Sequence, residues 1–481
     1  MTAIPIDLPR RRVSMGAFRW LVRKELWDHL HGYRFYLGAS MVFVLCMLAT
    51  VVRLSDLRQA HHERNAFLQR WIPSVEEQLE RDENVQVENT RGISPLTILS
   101  IGLEPVMPFR FTSTKEGLRY GETRSARNAV DALFGFLDIS FVVGVLLSLL
   151  ATALTFDSVC GERVHGTLAM VLSYPVSRSS VLLAKVAGNA VVLLVCFVPS
   201  FVLTMAITAF YGAGVESIGH WAAYGAASIL YLLSFVAAGT AISAMTRRPA
   251  DAALLCLFVW VLFVFVVPRV VALTVNQFDP PTRAVELSIK EDEMVSKLRL
   301  EFRRKQQQAF ESYLSAGESQ SANEDFNRAR RESADELSAK RREIVGRLWD
   351  EQSRDERSRE RLVSIFSVLS PTAMFNDTAA ELAWTGYRQR EHFVHESRNY
   401  DERIGRKLAE SRQAFYGKAQ GGRVGALIIK DAIKPYLMPF KGSLVPSRDI
   451  LPDVVAPILV LITYSALWFL AGYIAIVRIT F

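Results

Sequence analysis

Apolar and charged residues are separated into alternating blocks along this chain, and this separation limits its fold more than any other feature. Six segments are almost free of charged side chains: residues 35–52, 132–156, 186–211, 221–245, 252–267 and 454–477. Hydrocarbon about 30 Å thick needs about 20 apolar helical residues, so these segments have the length, or nearly the length, of membrane spans. Since backbone amides in lipid must bond within their own segment, the sequence predicts six transmembrane helices in an all-α polytopic membrane protein.

The composition agrees with a membrane protein that has a large water-exposed portion. Half of the 481 residues are hydrophobic, yet 22% are charged, which excludes a purely soluble enzyme, a disordered chain and a disulfide scaffold. The net charge of +7 comes mostly from short segments beside the apolar ones, so we expect membrane lipids and no nucleic acid as partners. The four cysteines lie in or next to apolar segments without metal-ligand spacing, which predicts neither a metal site nor a disulfide framework.

Lysine and arginine are distributed unevenly among the short segments between the spans. The N-terminal arm, the loop 157–185 and the turn after the fourth span are basic, whereas the loop 212–220 contains neither residue. The positive-inside rule therefore places both termini in the cytoplasm and the two long polar blocks, 53–131 and 268–452, outside. The first apolar run begins late and has no small-residue cleavage site after it, so we expect a retained anchor instead of a cleaved signal peptide.

These patterns divide the chain into six consecutive parts. In order, they are a cytoplasmic arm with an amphipathic helix (1–34), the first span (35–52), an extracytoplasmic segment (53–131), spans two to five with the loop 157–185 (132–267), an extracytoplasmic hairpin domain (268–452), and the last span with a cytoplasmic tail (453–481). The predicted architecture is a membrane bundle with a large region on its outer side.

The polar parts show helical periodicity of two kinds. Before the first span, apolar residues from Met15 to Tyr33 recur at steps of three and four, which predicts an amphipathic helix along the cytoplasmic membrane surface; an ordinary soluble helix is the alternative. Residues 284–361 are densely charged with narrow apolar stripes, which predicts a long helical hairpin that turns near 315–319. The first outer block begins as a helix over 54–82 and then becomes irregular, so the whole extracytoplasmic region is predicted to be mostly helical.

The chain lacks the motifs of an ATP-hydrolysing enzyme. It contains no glycine-rich phosphate loop ending in Gly-Lys-Ser/Thr, and no metalloprotease, serine hydrolase or kinase signature. Polar residues within the second span, Asp138, Ser148 and Thr152, interrupt its apolar character. They predict either the polar lining of a translocation path or a packing face of small residues, and the sequence leaves both interpretations open.

The loop 157–185 carries the most specific pattern in the sequence. A charged helical piece, a glycine break, a second amphipathic piece and a proline turn follow one another before a lysine opens the next span. The residues in this order are Asp157, Glu162, Arg163, Gly166, Thr167, Leu168, Ser173, Pro175, Ser177, Arg178 and Lys185. The pattern resembles the cytoplasmic loop of permease subunits of ABC transporters, specifically the class-two, exporter-type (ABC-2-like) permeases.

Two further features support the same resemblance. Arg23, Lys24 and Glu25 in the amphipathic helix are similar to the family's N-terminal elbow helix. The segments 94–98 and 369–371 are similar to a branch of the family with an enlarged extracytoplasmic region. The long outer hairpin departs from the compact members, so their substrates do not carry over to this chain.

The resemblance implies the transmembrane subunit of an ABC exporter in the cytoplasmic (inner) membrane of a prokaryote. Such a chain is not itself an enzyme and binds no cofactor; two separate ATPase subunits hold ATP and magnesium. A second permease subunit, identical or homologous, is the other expected partner. By the same resemblance, the elbow helix and the loop residues Asp157, Glu162, Arg163, Gly166, Thr167, Pro175 and Arg178 form the surface that couples to the ATPases.

Two other functions stay open at the level of the sequence. A permease-like complex can transmit force to an extracytoplasmic partner protein without moving substrate through the bilayer, and the long hairpin favours this alternative. A membrane-anchored scaffold or sensor is the second alternative, which the loop pattern disfavours. A cavity continuous across the spans would argue against the first, and co-purification with an ATPase would argue against the second.

Overall fold

The computed structural model describes residues 15–80, 86–114, 117–121, 137–174, 176–211, 217–278, 282–316, 320–416 and 438–478. Helices dominate these residues, and six of the helical segments are long and apolar enough to cross a membrane. They cover Phe35–Trp71, Ile139–Val164, Arg178–Phe210, Ile218–Met245, Pro249–Val275 and Ser447–Val477. The prediction of an all-α polytopic membrane protein with six spans is confirmed.

The first span and the start of the outer block form one continuous helix. Helix α1 covers Met15–Leu30, and helix α2 follows after a short turn and covers Tyr33–Glu80. At 1.5 Å per residue, α2 is about 72 Å long, more than twice the thickness of the hydrocarbon layer. The helix predicted over 54–82 is therefore the continuation of the first span beyond the membrane.

The second span, helix α3, is capped by an acidic residue. It comprises Ile139–Phe141, a π-helical stretch Val142–Leu147, and Ser148–Thr155. Asp138 is the N-cap, because its carboxylate accepts a hydrogen bond of 2.7 Å from the backbone N–H of Phe141. Such a side chain satisfies an amide that has no partner within the helix. The start predicted at residue 132 lies outside the described residues.

The loop after α3 contains two short helices, as its sequence predicts, and two long spans follow it. Helices α4 and α5 cover Cys160–Val164 and Thr167–Ser173, and α6 and α7 cover Arg178–Phe210 and Ile218–Met245. Helix α7 lies at the centre of the bundle, where Trp221, Tyr224 and Tyr231 are among the largest buried side chains. The hydrophobic core of the bundle is therefore built around this span.

The fifth span, helix α8, continues through a proline. It comprises Pro249–Val261, a π-helical stretch Leu262–Val266, and Val267–Phe278. The sequence analysis placed the end of this span at residue 267. The next residue is a proline, which usually ends a helix, because it lacks an amide hydrogen and its ring clashes with the preceding turn. The π-helical stretch directly before Pro268 changes the hydrogen-bond spacing and accommodates the ring, so the helix continues.

A three-stranded antiparallel sheet lies in the first outer block, where the sequence predicted irregular structure. Strands β1 (Val87–Thr90), β2 (Arg110–Thr114) and β3 (Gly117–Tyr120) are paired in the order β1-β2-β3. Phe111 in β2 is fully buried and packs edge-on against three aromatic rings from the last part of the outer region. Buried and half-exposed residues alternate in β2, as is typical of a strand. The alternation is too short to predict a strand among the surrounding turn residues.

The predicted helical hairpin is confirmed. Helices α9 and α10 cover Thr282–Ala316 and Gln320–Ser367. They pack against each other, and Lys305 Nζ in α9 lies 2.5 Å from a carboxylate oxygen of Glu336 in α10. The narrow apolar stripes are sufficient for a contact between two helices and leave the other faces to solvent.

Three further helices follow, and the first of them packs into the bundle. Helices α11, α12 and α13 cover Pro371–Leu382, Tyr387–Tyr416 and Ser447–Val477. Helix α11 packs against the spans α7 and α13, although the sequence analysis assigned it to the outer block. The ring of Phe375 is fully buried, 4.6 Å from the ring of Tyr231 in α7. A segment of the outer block thus returns among the spans.

Candidate coupling surface

A glycine forms the bend between the two short helices of the loop. Gly166 lies between α4 and α5 with φ at +75°. An L-residue is strained at this angle by its Cβ atom, whereas glycine adopts it freely. A Cβ atom built on Gly166 meets no other atom within 4 Å. The glycine therefore serves the sharp bend, and no neighbouring backbone approaches it closely.

Glu162 belongs to a group of four charged side chains that lie close together. Its carboxylate is 2.7 Å from Nζ of Lys24 and 3.0 Å from Nζ of Lys185, and Lys185 is 2.8 Å from Glu25. Lys24 and Glu25 come from α1, Glu162 from α4 and Lys185 from α6. The side chain of Lys185 is only 3% exposed. We call these four residues the four-charge cluster.

The members of the four-charge cluster depend on one another. Burial lowers the pKa of Lys24, but its hydrogen bond to Glu162 and the charges of Glu162, Glu25 and Asp28 outweigh burial and leave the pKa raised. Lys24 is therefore positively charged at neutral pH. Removing one partner of a buried ion pair costs about 3–5 kcal/mol, because the other charge stays buried without compensation. The cluster consequently holds α1, α4 and α6 together.

The two arginines of the loop cap the ends of other helices. Arg163 donates hydrogen bonds of 2.9 and 3.0 Å to the carbonyl oxygens of Thr246 and Ala244 at the end of α7. Arg178 donates hydrogen bonds of 2.8 and 3.1 Å to two carbonyl oxygens in the last turn of α13. Cationic side chains are favourable at helix C-termini, where carbonyl groups have no helical partner. The resemblance implied that Arg178 belongs to the surface that couples to the ATPases; in the structure, the carbonyls that it caps belong to the last span.

The remaining predicted coupling residues lie around this arrangement. The hydroxyl of Thr167 donates to the carbonyl oxygen of Glu162 at 3.3 Å, across the bend. Asp157 lies in the turn before α4, and its carbonyl oxygen accepts a backbone hydrogen bond of 2.9 Å from the first turn of that helix. Arg23 is exposed on α1, and Pro175 lies outside the described residues. Of the predicted elbow and loop residues, Lys24, Glu25 and Glu162 thus meet in the four-charge cluster.

The sequence analysis missed exposed apolar residues on this loop and at the end of α7. Val164, Met170, Tyr174 and Met245 are between 60% and 67% exposed. On the opposite side of α5, Leu168 is 1% exposed and anchors the helix to the bundle. Large exposed apolar side chains beyond the ends of the spans, such as Met170 and Tyr174, indicate a protein contact. We call the four exposed residues the apolar docking surface.

The polar residues of the second span make hydrogen bonds within the protein. Asp138 accepts a hydrogen bond of 2.8 Å from the backbone N–H of Ile101. Ser148 accepts one of 2.9 Å from the indole N–H of Trp260, and Thr152 donates one of 2.8 Å to a carbonyl oxygen one turn earlier in α3. These bonds agree with a packing face. A translocation path along these residues stays a prediction.

The chain matches one protein family along most of its length and two individual proteins over part of it. The family model described as ABC-2 family transporter protein matches residues 19–471. A probable ABC transporter permease protein NosY from Stutzerimonas stutzeri is 32% identical over 142 residues, which are 28% of this chain and 51% of that protein. The protein of the same name from Pseudomonas aeruginosa is 29% identical over 123 residues, which are 25% of this chain and 44% of that protein. The chain thus spans about half the length of these curated relatives.

Proposed function

Because this chain belongs to the ABC-2 family of transporter proteins, we propose that it is the membrane-spanning subunit of an ABC exporter in the inner membrane of a prokaryote. It pairs with a second permease, identical or homologous, and with two ATPase subunits that hold ATP and magnesium. The similarity to two probable ABC transporter permeases supports this assignment. The chain itself contributes binding and coupling, with both termini in the cytoplasm.

The apolar docking surface is the observation that carries the coupling role. Helix α5 is anchored on one side by Leu168, while Met170 and Tyr174 extend from the loop into solvent. An ATPase seated on this surface would cover apolar area that water otherwise contacts, which favours association. The bundle needs no rearrangement to present these side chains.

The contacts between the loop and the neighbouring helices can transmit motion from the docking surface to the spans. The four-charge cluster joins α4 to α1 and α6, while Arg163 and Arg178 join the loop to the ends of α7 and α13. When the ATPases close around ATP, a displacement of α4 and α5 therefore reaches three spans at their cytoplasmic ends. Rigid-body movement of packed helices is a common way to convert such a displacement into an opening.

Replacing Met170 with glutamate tests the coupling role. Met170 is 67% exposed, so Met170→Glu leaves the stability of the isolated permease unchanged. At an ATPase interface the new charge is buried without a partner, which costs about 2–5 kcal/mol and reduces retention of the ATPase at least tenfold. Retention is measured by co-purification from gently solubilised membranes.

The matched control is Val106→Glu, since Val106 is 60% exposed and lies in the first outer block. We expect this variant to retain the ATPase like the unmodified chain. If Met170→Glu retained as much ATPase as the unmodified chain, α5 would not be part of the interface. An unmodified chain that co-purifies with no ATPase would contradict the proposed function itself.

Force transmission to an outer partner is a second candidate function, and the short connection between α10 and α11 favours it. Helix α10 runs for 48 residues from the hairpin turn to the bundle. Ser370, directly before α11, donates a hydrogen bond of 2.7 Å to the carbonyl oxygen of Phe263 in α8. Movement of the spans therefore reaches the hairpin through a single helix. Shortening the hairpin distinguishes the two functions.

A further inference from the structure

A groove of about 1010 Å³ lies in the outer region, between helix α12 and the irregular segment 438–443 that precedes the last span. Tyr400 and Ile404 on α12 and Phe440 on the facing segment line it with side chains that are 4–6% exposed. Phe440 also packs edge-on against Phe111 of the sheet, with ring centroids 5.0 Å apart. The apolar floor of the groove is therefore part of a packed core.

The backbone of the segment 438–443 is bound to other parts of the chain. The carbonyl oxygen of Lys441 accepts a hydrogen bond of 3.0 Å from Arg64 in α2. The amide of Phe440 donates one of 3.0 Å to the side chain of Asn89 in β1. A peptide that adds to a chain as a β-strand needs free backbone groups. Because these groups already have partners, a ligand of the groove is recognised through side chains.

Cationic side chains lie on both walls of the groove. Arg403 and Arg406 are exposed on α12, and Lys441 is exposed on the facing segment. None of these three forms an ion pair with a carboxylate in the part of the chain that the structure describes. Glu396 also lines the groove, but its carboxylate accepts a hydrogen bond of 2.8 Å from the amide of Ser443 and so joins the two walls.

Arginines in the first half of α12 are paired instead. Arg390 is 2.8 Å from Glu356, and Arg398 is 2.9 Å from Asp350, both of α10. The change from paired to unpaired arginines along α12 coincides with the start of the groove. The described walls thus combine positive charge with an apolar floor.

Guanidinium and ammonium groups attract phosphate and carboxylate, and an arginine can hold either group with two parallel hydrogen bonds. The volume suits a small molecule, and the floor favours one with an apolar body. We propose that this groove binds a small anionic amphiphile, which carries a phosphate or carboxylate group on an apolar body. Arg403, Arg406 and Lys441 bind the anionic group, while the floor contacts the apolar body. This site is independent of the coupling to ATPases.

Calorimetric titration of the purified chain in nanodiscs of phosphatidylcholine tests the site. The probe is 1-naphthyl phosphate, and empty nanodiscs provide the blank. Low salt is used because it screens exposed charges least. We expect the probe to bind about tenfold or more tightly than inorganic phosphate, since only the ester reaches the apolar floor.

Arg403→Gln is expected to weaken binding of the probe about tenfold, because it removes a charge-assisted hydrogen bond. The matched control is Arg328→Gln on the hairpin, which removes the same charge from a side chain that is 70% exposed and distant from the groove lining. Equal affinities of the two variants, or no binding by the unmodified chain, would overturn the site. Retention of the ATPase is measured separately, so either failure leaves the proposed function standing.

A competition experiment distinguishes the two sources of such a ligand. Dihexanoyl phosphatidylglycerol is added below its micelle-forming concentration, with dihexanoyl phosphatidylcholine as the control that has no net charge. Displacement of the probe by the anionic lipid alone assigns the site to a membrane lipid. Retention of the probe in both cases assigns it to a soluble anion. Equal displacement by both lipids would contradict recognition of the anionic group.

Discussion

Glu162 forms ion pairs with two lysine side chains at once. Its carboxylate is 2.7 Å from Nζ of Lys24 and 3.0 Å from Nζ of Lys185, while Glu25 approaches Lys185 to 2.8 Å. When Glu162 is neutral, Lys185 keeps only Glu25 and Lys24 loses its closest acid. Because Lys185 is buried, the remaining charge lies in a region of low dielectric constant, where an unbalanced charge is costly.

We expect Glu162→Gln to destabilise the isolated permease by about 3 kcal/mol, since it breaks a largely buried ion pair. The measurement is thermal unfolding of the purified chain in detergent. Arg23→Gln is the matched control: Arg23 is exposed on the same helix as Lys24, and surface substitutions usually change stability by less than about 0.5 kcal/mol. Unchanged stability of Glu162→Gln together with weaker ATPase binding would instead place Glu162 at the interface, as the sequence predicted.

At the scale of elements, the distal half of the outer hairpin contacts mainly itself. Lys305 of α9 pairs with Glu336 of α10, and aromatic rings pack around Phe326 near the turn. Contact with the outer sheet occurs farther from the turn, where the ring of Trp349 is 5.0 Å from that of Tyr120 in β3. The described contacts thus make the distal half separable from the bundle.

Replacing residues 306–335 with a four-residue Gly/Ser turn is expected to leave the unfolding temperature and the retention of the ATPase unchanged. A short turn can close the gap, because the side chains of Lys305 and Glu336 are 2.5 Å apart. If the chain is an exporter, substrate transport continues in this variant; if it transmits force to an outer partner, its cellular activity is lost. A lower unfolding temperature would show that the distal hairpin supports the bundle.

At the scale of the whole molecule, the two ends of the bundle differ in character. One end carries the four-charge cluster, the apolar docking surface and the ends of α7 and α13 capped by arginine. The other end carries the sheet, the hairpin and the outer end of α11. The basic loops coincide with the first end, which agrees with the orientation that the positive-inside rule predicts.

Thiol labelling tests this orientation. In a variant without the native cysteines, Arg328→Cys on the hairpin is expected to react with an impermeant reagent once the outer membrane is permeable. Arg248→Cys in the turn after α7 is expected to react only after lysis of the inner membrane. The side chain of Arg328 is 70% exposed, so the reagent can reach a cysteine at this position. The reverse labelling pattern would overturn the topology.

The sequence alone was sufficient for features that depend on neighbouring residues. The spans follow from uninterrupted apolar length, the hairpin from helical periodicity among charges, and the bend from Gly166, whose positive φ few other residues adopt. The order of residues in the loop 157–185 was also sufficient to indicate the family that the match over residues 19–471 establishes.

Which distant residues meet depends on how the helices pack. Glu162 pairs with Lys24, 138 residues away, and the local sequence of a charged loop is the same whether its partner lies on another helix or on another protein. Helix α11 has 12 residues, too few for a span and too apolar for a solvated helix, so its place was set by the surfaces against which it packs. Whether a segment can span the membrane depends on that segment alone, whereas each of these contacts depends on two segments that the fold brings together.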